Sequence, residues 1–317
     1  MAKVLVSASL PGDALARLAP HEVEVGEAPT GLGRDGILAR IGDKHALISL
    51  LSDRIDETVL DAAKELRVIA NYAVGVDNID LDACRRRGIV VTNTPGVLTD
   101  ATADLAMALL LAAARRIVEA DALARSGTWK GWAPTEMLGV RVTGATIGII
   151  GFGRIGRAMA KRAAGFGMRV LYTQRRRARA EDEQAVGARY VSLDELLRAS
   201  DIVSLHCPLT DETRGILSRE RLFSMKKGAI VVNTARGACI DEKALIEAIQ
   251  SGHLVGAGLD VFEKEPFIPD ELRALDRVVL APHIGSADEP TRAEMARMCV
   301  SAVLAVLEGR EPEHRVV

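Results

Sequence analysis

Residues 145–156, ATIGIIGFGRIG, restrict this chain more than any other stretch. An apolar run of strand length ends in a Gly-x-Gly-x-x-Gly turn, and the helix-forming RAMAKRAA of residues 157–164 follows at once. Each glycine has a physical reason. Gly151 permits the tight strand-to-helix turn, Gly153 lets a pyrophosphate approach the backbone, and Gly156 lets helix and strand pack closely. The free N–H groups at the new helix's start, on Phe152, Arg154 and Ile155 around the glycines, then face phosphates at the positive end of the dipole. A lone glycine-rich turn is weak evidence. Here a strand precedes it, a helix follows, and a second strand at residues 169–172 arrives on schedule, which is the context a dinucleotide site needs.

A chain of 317 residues suggests about two domains. A formal charge of −2 gives no general attraction to nucleic acid or anionic membrane, and 3% aromatics leave little for stacking on bases. No apolar stretch is long enough to span a bilayer; the Ala-rich residues 104–116 close on two arginines and read as a buried helix. The N-terminus runs straight into a strand without a signal peptide's layout. Cys84, Cys207, Cys239 and Cys299 lack metal-ligand or CxxC spacing. They read as reduced, buried thiols of a cytoplasmic protein, with no metal.

The first hundred residues alternate short apolar runs (4–6, 23–25, 46–51, 68–71, 89–92) with helix-like segments such as 56–64. Strands alternating with helices predict a parallel sheet covered on both faces. Residues 93–96 signal a turn, and a long Ala-rich helix from about Ala101 leads into a second domain. There the alternation resumes at 201–205, 229–233, 256–260 and 278–281. A final helix from Thr291 to Gly309 is expected to return to the first domain. The expected division is 1–98 with 287–317 for a substrate domain and 99–286 for a dinucleotide-binding domain.

The usual acidic residue for an NAD ribose is missing at the second strand's end, which reads Thr173-Gln174-Arg175-Arg176-Arg177. A carboxylate there would repel a 2′-phosphate, whereas arginines grip one through bidentate bonds. The expectation is NADP(H) in preference to NAD(H), with NAD(H) still possible.

Three polar motifs close later strands. Asn233-Thr234-Ala235-Arg236-Gly237 offers an arginine able to clamp a carboxylate with two parallel hydrogen bonds. Residues 258–266, GLDVFEKEP, offer carboxylates, though alone they read as an acidic loop. Pro282-His283-Ile284-Gly285 holds a histidine at a strand end, a setting suited to acid–base work, although a structural histidine fits as well. His206, before Cys207 and Pro208 at another strand end, is expected to line the cofactor cleft. With a nicotinamide site the motifs make one chemistry, reduction of a 2-oxo acid to a 2-hydroxy acid with His283 giving the proton.

In order and spacing these motifs, together with residues 71–80, NYAVGVDNID, resemble the D-isomer-specific 2-hydroxyacid dehydrogenase family over essentially the whole chain. The resemblance implies two doubly wound parallel-sheet α/β domains, one flavodoxin-like and one Rossmann, with a cleft between them. It makes Arg236 the substrate arginine, Glu265 the partner of the proton donor His283, and the N–H groups of Val74 and Gly75 ligands of the substrate carboxylate. It places Asp260 by the nicotinamide amide and Thr102 near the cofactor phosphates. Residues 50–53 with Ser52, the acid-free 173–176, and 127–132 with Trp132 look most like glyoxylate/hydroxypyruvate reductases. It further implies a homodimer, in which Trp132 reaches a neighbouring subunit's pocket unless it is packed in the core. Nothing after the last helix suggests a regulatory domain. Rival readings are phosphite or another 2-hydroxyacid as substrate, and a dinucleotide-sensing corepressor that keeps the same three residues.

Overall fold

The computed structural model describes all residues, Met1–Val317. The chain divides into two compact units, Met1–Leu98 with Ser286–Val317, and Thr99–Gly285.

The first unit carries β1 (Lys3–Val6), β2 (Glu22–Val25), β3 (Ala46–Leu50), β4 (Val68–Tyr72) and β5 (Val90–Thr92). They form a parallel sheet ordered β2-β1-β3-β4-β5, the flavodoxin-like order. Successive side chains of a strand point to opposite faces, and here both faces are covered. Leu5, Leu47 and Ile69 meet the helices Gly33–Leu38, Glu57–Ala62 and Leu81–Arg87. Val4, Val6, Ile48 and Ala70 meet Ala296, Cys299, Val300 and Val303 of the last helix, Glu289–Leu307. That helix is expected from the sequence to begin at Thr291; Asp288 starts it earlier by accepting a hydrogen bond from the Thr291 N–H at 2.7 Å, with Pro290 in the first turn.

The second unit carries β6 (Thr146–Ile150), β7 (Arg169–Thr173), β8 (Arg189–Tyr190), β9 (Ile202–Leu205), β10 (Ala229–Asn233), β11 (Leu254–Leu259) and β12 (Val278–Leu280). All pairings are parallel in the order β12-β11-β10-β9-β6-β7-β8, a Rossmann order with one added edge strand. Every residue of β6 and β10 is buried, as a central parallel strand requires. The helix Thr99–Arg115 lays Ala103, Ala106, Leu110 and Ala113 into this core. It is thus a buried globular helix, and no helix of the chain is long and apolar enough to cross a membrane. All four cysteines are buried free thiols.

The helix Ile117–Ser126 buries none of its residues. Beyond it Trp129, Trp132 and Leu138 are 57%, 83% and 61% exposed, so Trp132 is not part of this domain's core.

Candidate active site

The strand order of the second unit reverses between β6 and β9, and ligands of open α/β sheets lie outside the carboxyl ends of the strands at such a point. The glycine turn follows β6 there. Gly151 has φ +92°, a conformation side chains avoid, and a Cβ on it would lie 2.6 Å from the Cys207 nitrogen. A Cβ on Gly156 would lie 2.1 Å from the Gly151 carbonyl oxygen, whereas one on Gly153 would meet nothing within 4 Å. Tight turn, close packing and open backbone therefore fall on the three glycines as expected. Gly153 caps the helix Arg154–Gly165 with no side chain across its first N–H groups. Arg154 and Gly153 are exposed and Ile155 half-buried at this helix start, which leaves room for an anionic group.

The Phe152 ring is buried against Tyr172 at 4.0 Å between centroids, so its side chain serves the core and only its backbone faces the turn. Its N–H donates to Gln174 Oε1 at 3.1 Å. Gln174 thus ties the β7 end to the glycine turn, in the place of the acid that the sequence lacks. Arg175 and Arg176 are exposed and enter no ion pair. Arg177 is committed elsewhere: it bonds both Glu183 oxygens, at 2.9 and 2.8 Å, while the Tyr172 hydroxyl donates to the same carboxylate at 2.5 Å.

Further along the sheet edge, Cys207 is buried and Pro208 exposed after β9. His206 follows β9 directly and lies against the glycine turn. Its Nε2 pairs with Ser204 Oγ at 2.8 Å, and burial pushes its pKa down to about 4, so it is a neutral, internally held ring. Two polar atoms at the carboxyl ends of neighbouring strands, His206 Nδ1 after β9 and Thr234 Oγ1 after β10, are buried without a hydrogen-bond partner. Orphaned polar atoms are costly, and their presence here with the open helix N-terminus fits a dinucleotide held at this edge.

After β10, Asn233 builds the arginine turn. Its Oδ1 accepts from the Ala235 N–H at 3.0 Å and its Nδ2 donates to the Arg236 carbonyl at 2.9 Å. The Arg236 guanidinium donates to the Ala235 carbonyl at 2.8 Å, and its charge acts on Glu265. His283 Nδ1 meets Glu265 Oε2 at 2.7 Å, and the other oxygen, Oε1, accepts from the Phe262 N–H at 3.1 Å. Burial raises the Glu265 pKa, but the His283 bond and the charges of His283 and Arg236 outweigh it and hold the carboxyl below its usual range. Glu265 is therefore ionised and anchored, and His283 is left with Nε2 for chemistry.

His283 itself stands at φ +54°, a left-handed backbone that non-glycine residues adopt only when their surroundings hold it. Asp260 supplies the hold. Its buried carboxylate accepts from the N–H groups of Ile284 at 2.7 Å and Gly285 at 2.8 Å, and its carbonyl accepts from the His283 N–H at 2.9 Å. Burial pushes the Asp260 pKa up to about 6 against the pull of those donors and of His283, with Glu265 adding to the rise. Buried Thr102 packs beside this knot, near Gly285 and Asp260.

In the first unit Ser52 is exposed in the loop after β3, while Val74 and Gly75 are half-buried in the loop after β4. Sequence reading missed the asparagines that shape both sheets' loops, Asn71, Asn78, Asn93 and Asn233. Their only signal is position at a strand end (Asn71, Asn93, Asn233) or in the loop that follows one (Asn78), where an amide can satisfy loop backbone groups.

A family model described as D-isomer specific 2-hydroxyacid dehydrogenase, NAD binding domain, matches residues 107–285. A glyoxylate reductase from Thermococcus kodakarensis is 51% identical over 315 residues, covering 98% of this chain and 94% of that protein. The crystal structure of the TT0316 protein from Thermus thermophilus superposes with a TM-score of 0.92 at 53% identity, covering 99% of this chain and 100% of that one. An NADPH-dependent glyoxylate/hydroxypyruvate reductase from Sinorhizobium meliloti, solved with NADP and malonate, gives a TM-score of 0.88 at 32% identity, covering 100% and 97%. With its parallel sheets, glycine turn and His–Glu pair, this chain belongs to the D-isomer-specific 2-hydroxyacid dehydrogenase family and is an NAD(P)-dependent oxidoreductase.

Proposed function

We propose that this enzyme reduces glyoxylate to glycolate and hydroxypyruvate to D-glycerate, preferring NADPH to NADH. The 2.7 Å pair between His283 Nδ1 and Glu265 Oε2 at the carboxyl edge of the Rossmann sheet carries the reading. When bound, the reduced nicotinamide supplies the hydride. His283 gives its proton to the carbonyl oxygen as negative charge grows there, and Glu265, bonded at Nδ1, fixes the ring's orientation so that Nε2 faces the reacting group. Arg236 takes the substrate carboxylate through its two-pronged guanidinium, and the Val74 and Gly75 N–H groups are further ligands of that carboxylate. The names of the relatives from Thermococcus kodakarensis and Sinorhizobium meliloti support the substrate class.

The cofactor preference rests on the acid-free β7 end and the two unpaired, exposed arginines. Replacing Arg175 and Arg176 together by alanine is expected to lower kcat/KM for NADPH by at least about tenfold while leaving that for NADH near its original value. Equal losses with both cofactors would assign these arginines to the surface alone.

The exposed segment with Trp129 and Trp132 supports a homodimer in which Trp132 borders the partner's substrate pocket. Sedimentation should give twice the chain mass, and Trp132→Ala should weaken oxo-acid turnover while keeping dimer and fold. A monomer, or unaltered kinetics, would contradict this.

A further inference from the structure

The loop expected to receive the substrate carboxylate is built in an unusual way: side-chain amides hold its carbonyl groups and leave its N–H groups unused. Asn93 Nδ2 donates to the Val74 carbonyl at 2.8 Å, and Asn71 Nδ2 donates to the Gly75 carbonyl at 2.8 Å. The N–H groups of Val74 and Gly75 make no hydrogen bond within the domain. Asn71 is fully buried, and its Oδ1 accepts from Ser49 Oγ at 3.0 Å. The residues Ser49 and Asn71 stand opposite one another on β3 and β4, so the sheet register fixes this anchor.

Asn78 extends the network to the second candidate substrate loop. Its Nδ2 lies 3.0 Å from the carbonyl oxygens of both Leu50 and Asp53, the residues that bracket Ser52, and its Oδ1 accepts from Asn71 Nδ2 at 3.1 Å. Its own carbonyl accepts from the Ile55 N–H at 2.8 Å. Asp53 closes the same loop from inside. Its fully buried carboxylate accepts from the Leu50 N–H at 2.7 Å and from the Gly33 N–H at 3.0 Å.

A peptide plane carries the C=O of one residue and the N–H of the next. Asn93 on the Val74 carbonyl therefore sets the Gly75 N–H, and Asn71 on the Gly75 carbonyl pins the plane that follows. The Val74 N–H is set by the Ala73 carbonyl, which accepts from the Thr94 N–H at 2.9 Å. Backbone donors fixed before the ligand arrives lose little freedom on binding. We propose that Asn71, Asn78 and Asn93 are positioning residues that preorganise the Val74–Gly75 amides and the Ser52 loop to take the carboxylate of a small 2-oxo acid. This rests on the carboxylate role given to Val74 and Gly75 above.

The test uses the NADPH-loaded enzyme with oxalate, a dicarboxylate that cannot be reduced by hydride addition to an aldehyde or ketone. Asn93→Ala removes one bond at a half-buried position, and the near-isosteric Asn78→Asp sets an oxygen against the Leu50 and Asp53 carbonyls. Each is expected to weaken oxalate binding and raise the glyoxylate KM by about tenfold, with NADPH affinity and kcat little changed. A merely structural role would lower melting temperature and NADPH affinity together and leave no such split. In wild type, amide nitrogen–proton spectra should show the Val74 and Gly75 signals moving with oxalate. If they move and both variants bind oxalate as wild type does, the positioning role is overturned. If they stay still while the Arg236 side-chain signals move, the carboxylate role of these amides is wrong and the proposal goes with it.

Discussion

His283→Gln is expected to lower kcat for glyoxylate reduction by roughly 10²–10⁴-fold, the usual contribution of a positioned acid. Glutamine keeps much of the ring's reach and polarity, so the loss isolates proton delivery from packing. The backbone around it should survive, because the N–H groups of residues 283–285 are held by Asp260 and not by the His283 side chain. NADPH binding should therefore change little, which a fluorescence titration of the variant would check. A variant turning over glyoxylate at the wild-type rate would remove His283 from the proton path. Glu265→Gln should follow in the same direction by a smaller factor. It keeps an acceptor for the imidazole at Nδ1 but replaces a charge-assisted bond by a weaker neutral one, so the ring is held less firmly.

Arg236→Lys is the second large effect, and it tests geometry at constant charge. A carboxylate on arginine receives two parallel N–H bonds from a planar fork; an ammonium offers one point of attachment. Losing one charged, desolvated contact costs about 2–5 kcal/mol, so kcat/KM for glyoxylate should fall by roughly 30-fold or more. Most of the loss should sit in KM. The turn carrying residue 236 should keep its shape, since Asn233 bonds the Ala235 N–H and the residue-236 carbonyl through backbone atoms only. A lysine variant with wild-type kinetics would deny Arg236 its carboxylate role.

The molecule divides sharply into what local pattern betrays and what only folding assembles. Continuous apolar runs such as TIGII and AIVVN reveal their strands because both faces of a parallel sheet are buried. The glycine turn is legible because its three glycines meet three separate steric demands. β8, two residues at an exposed sheet edge, has no period to read. Gln174 and Phe152 illustrate a subtler gap. Both stand at positions expected of cofactor residues, yet their structural work is mutual, one amide oxygen on one N–H, with the Phe152 ring stacked on Tyr172 in the core. His206 stands after β9 as a cleft residue would, and the bond from its Nε2 to Ser204, two residues earlier, is visible only in the folded strand.

The His283–Glu265 pair is legible only through the family resemblance, because residues 258–266 alone read as an acidic loop and eighteen residues separate the two partners. The left-handed backbone at His283 and the Asp260 knot that maintains it emerge only in the folded chain, because no property of either residue type announces them. The same holds for the asparagines of the first unit. An Asn at a strand end reads as a turn former, and its value as a donor to a particular carbonyl exists only after β3 and β4 are in register.

Purified enzyme mixed with glyoxylate, or with hydroxypyruvate, can be followed by the absorbance of NADPH and of NADH in parallel. Rapid oxidation that is faster with NADPH at equal, subsaturating concentrations is the expected result. A protein that binds NADPH yet oxidises neither cofactor with either acid would not be a glyoxylate or hydroxypyruvate reductase.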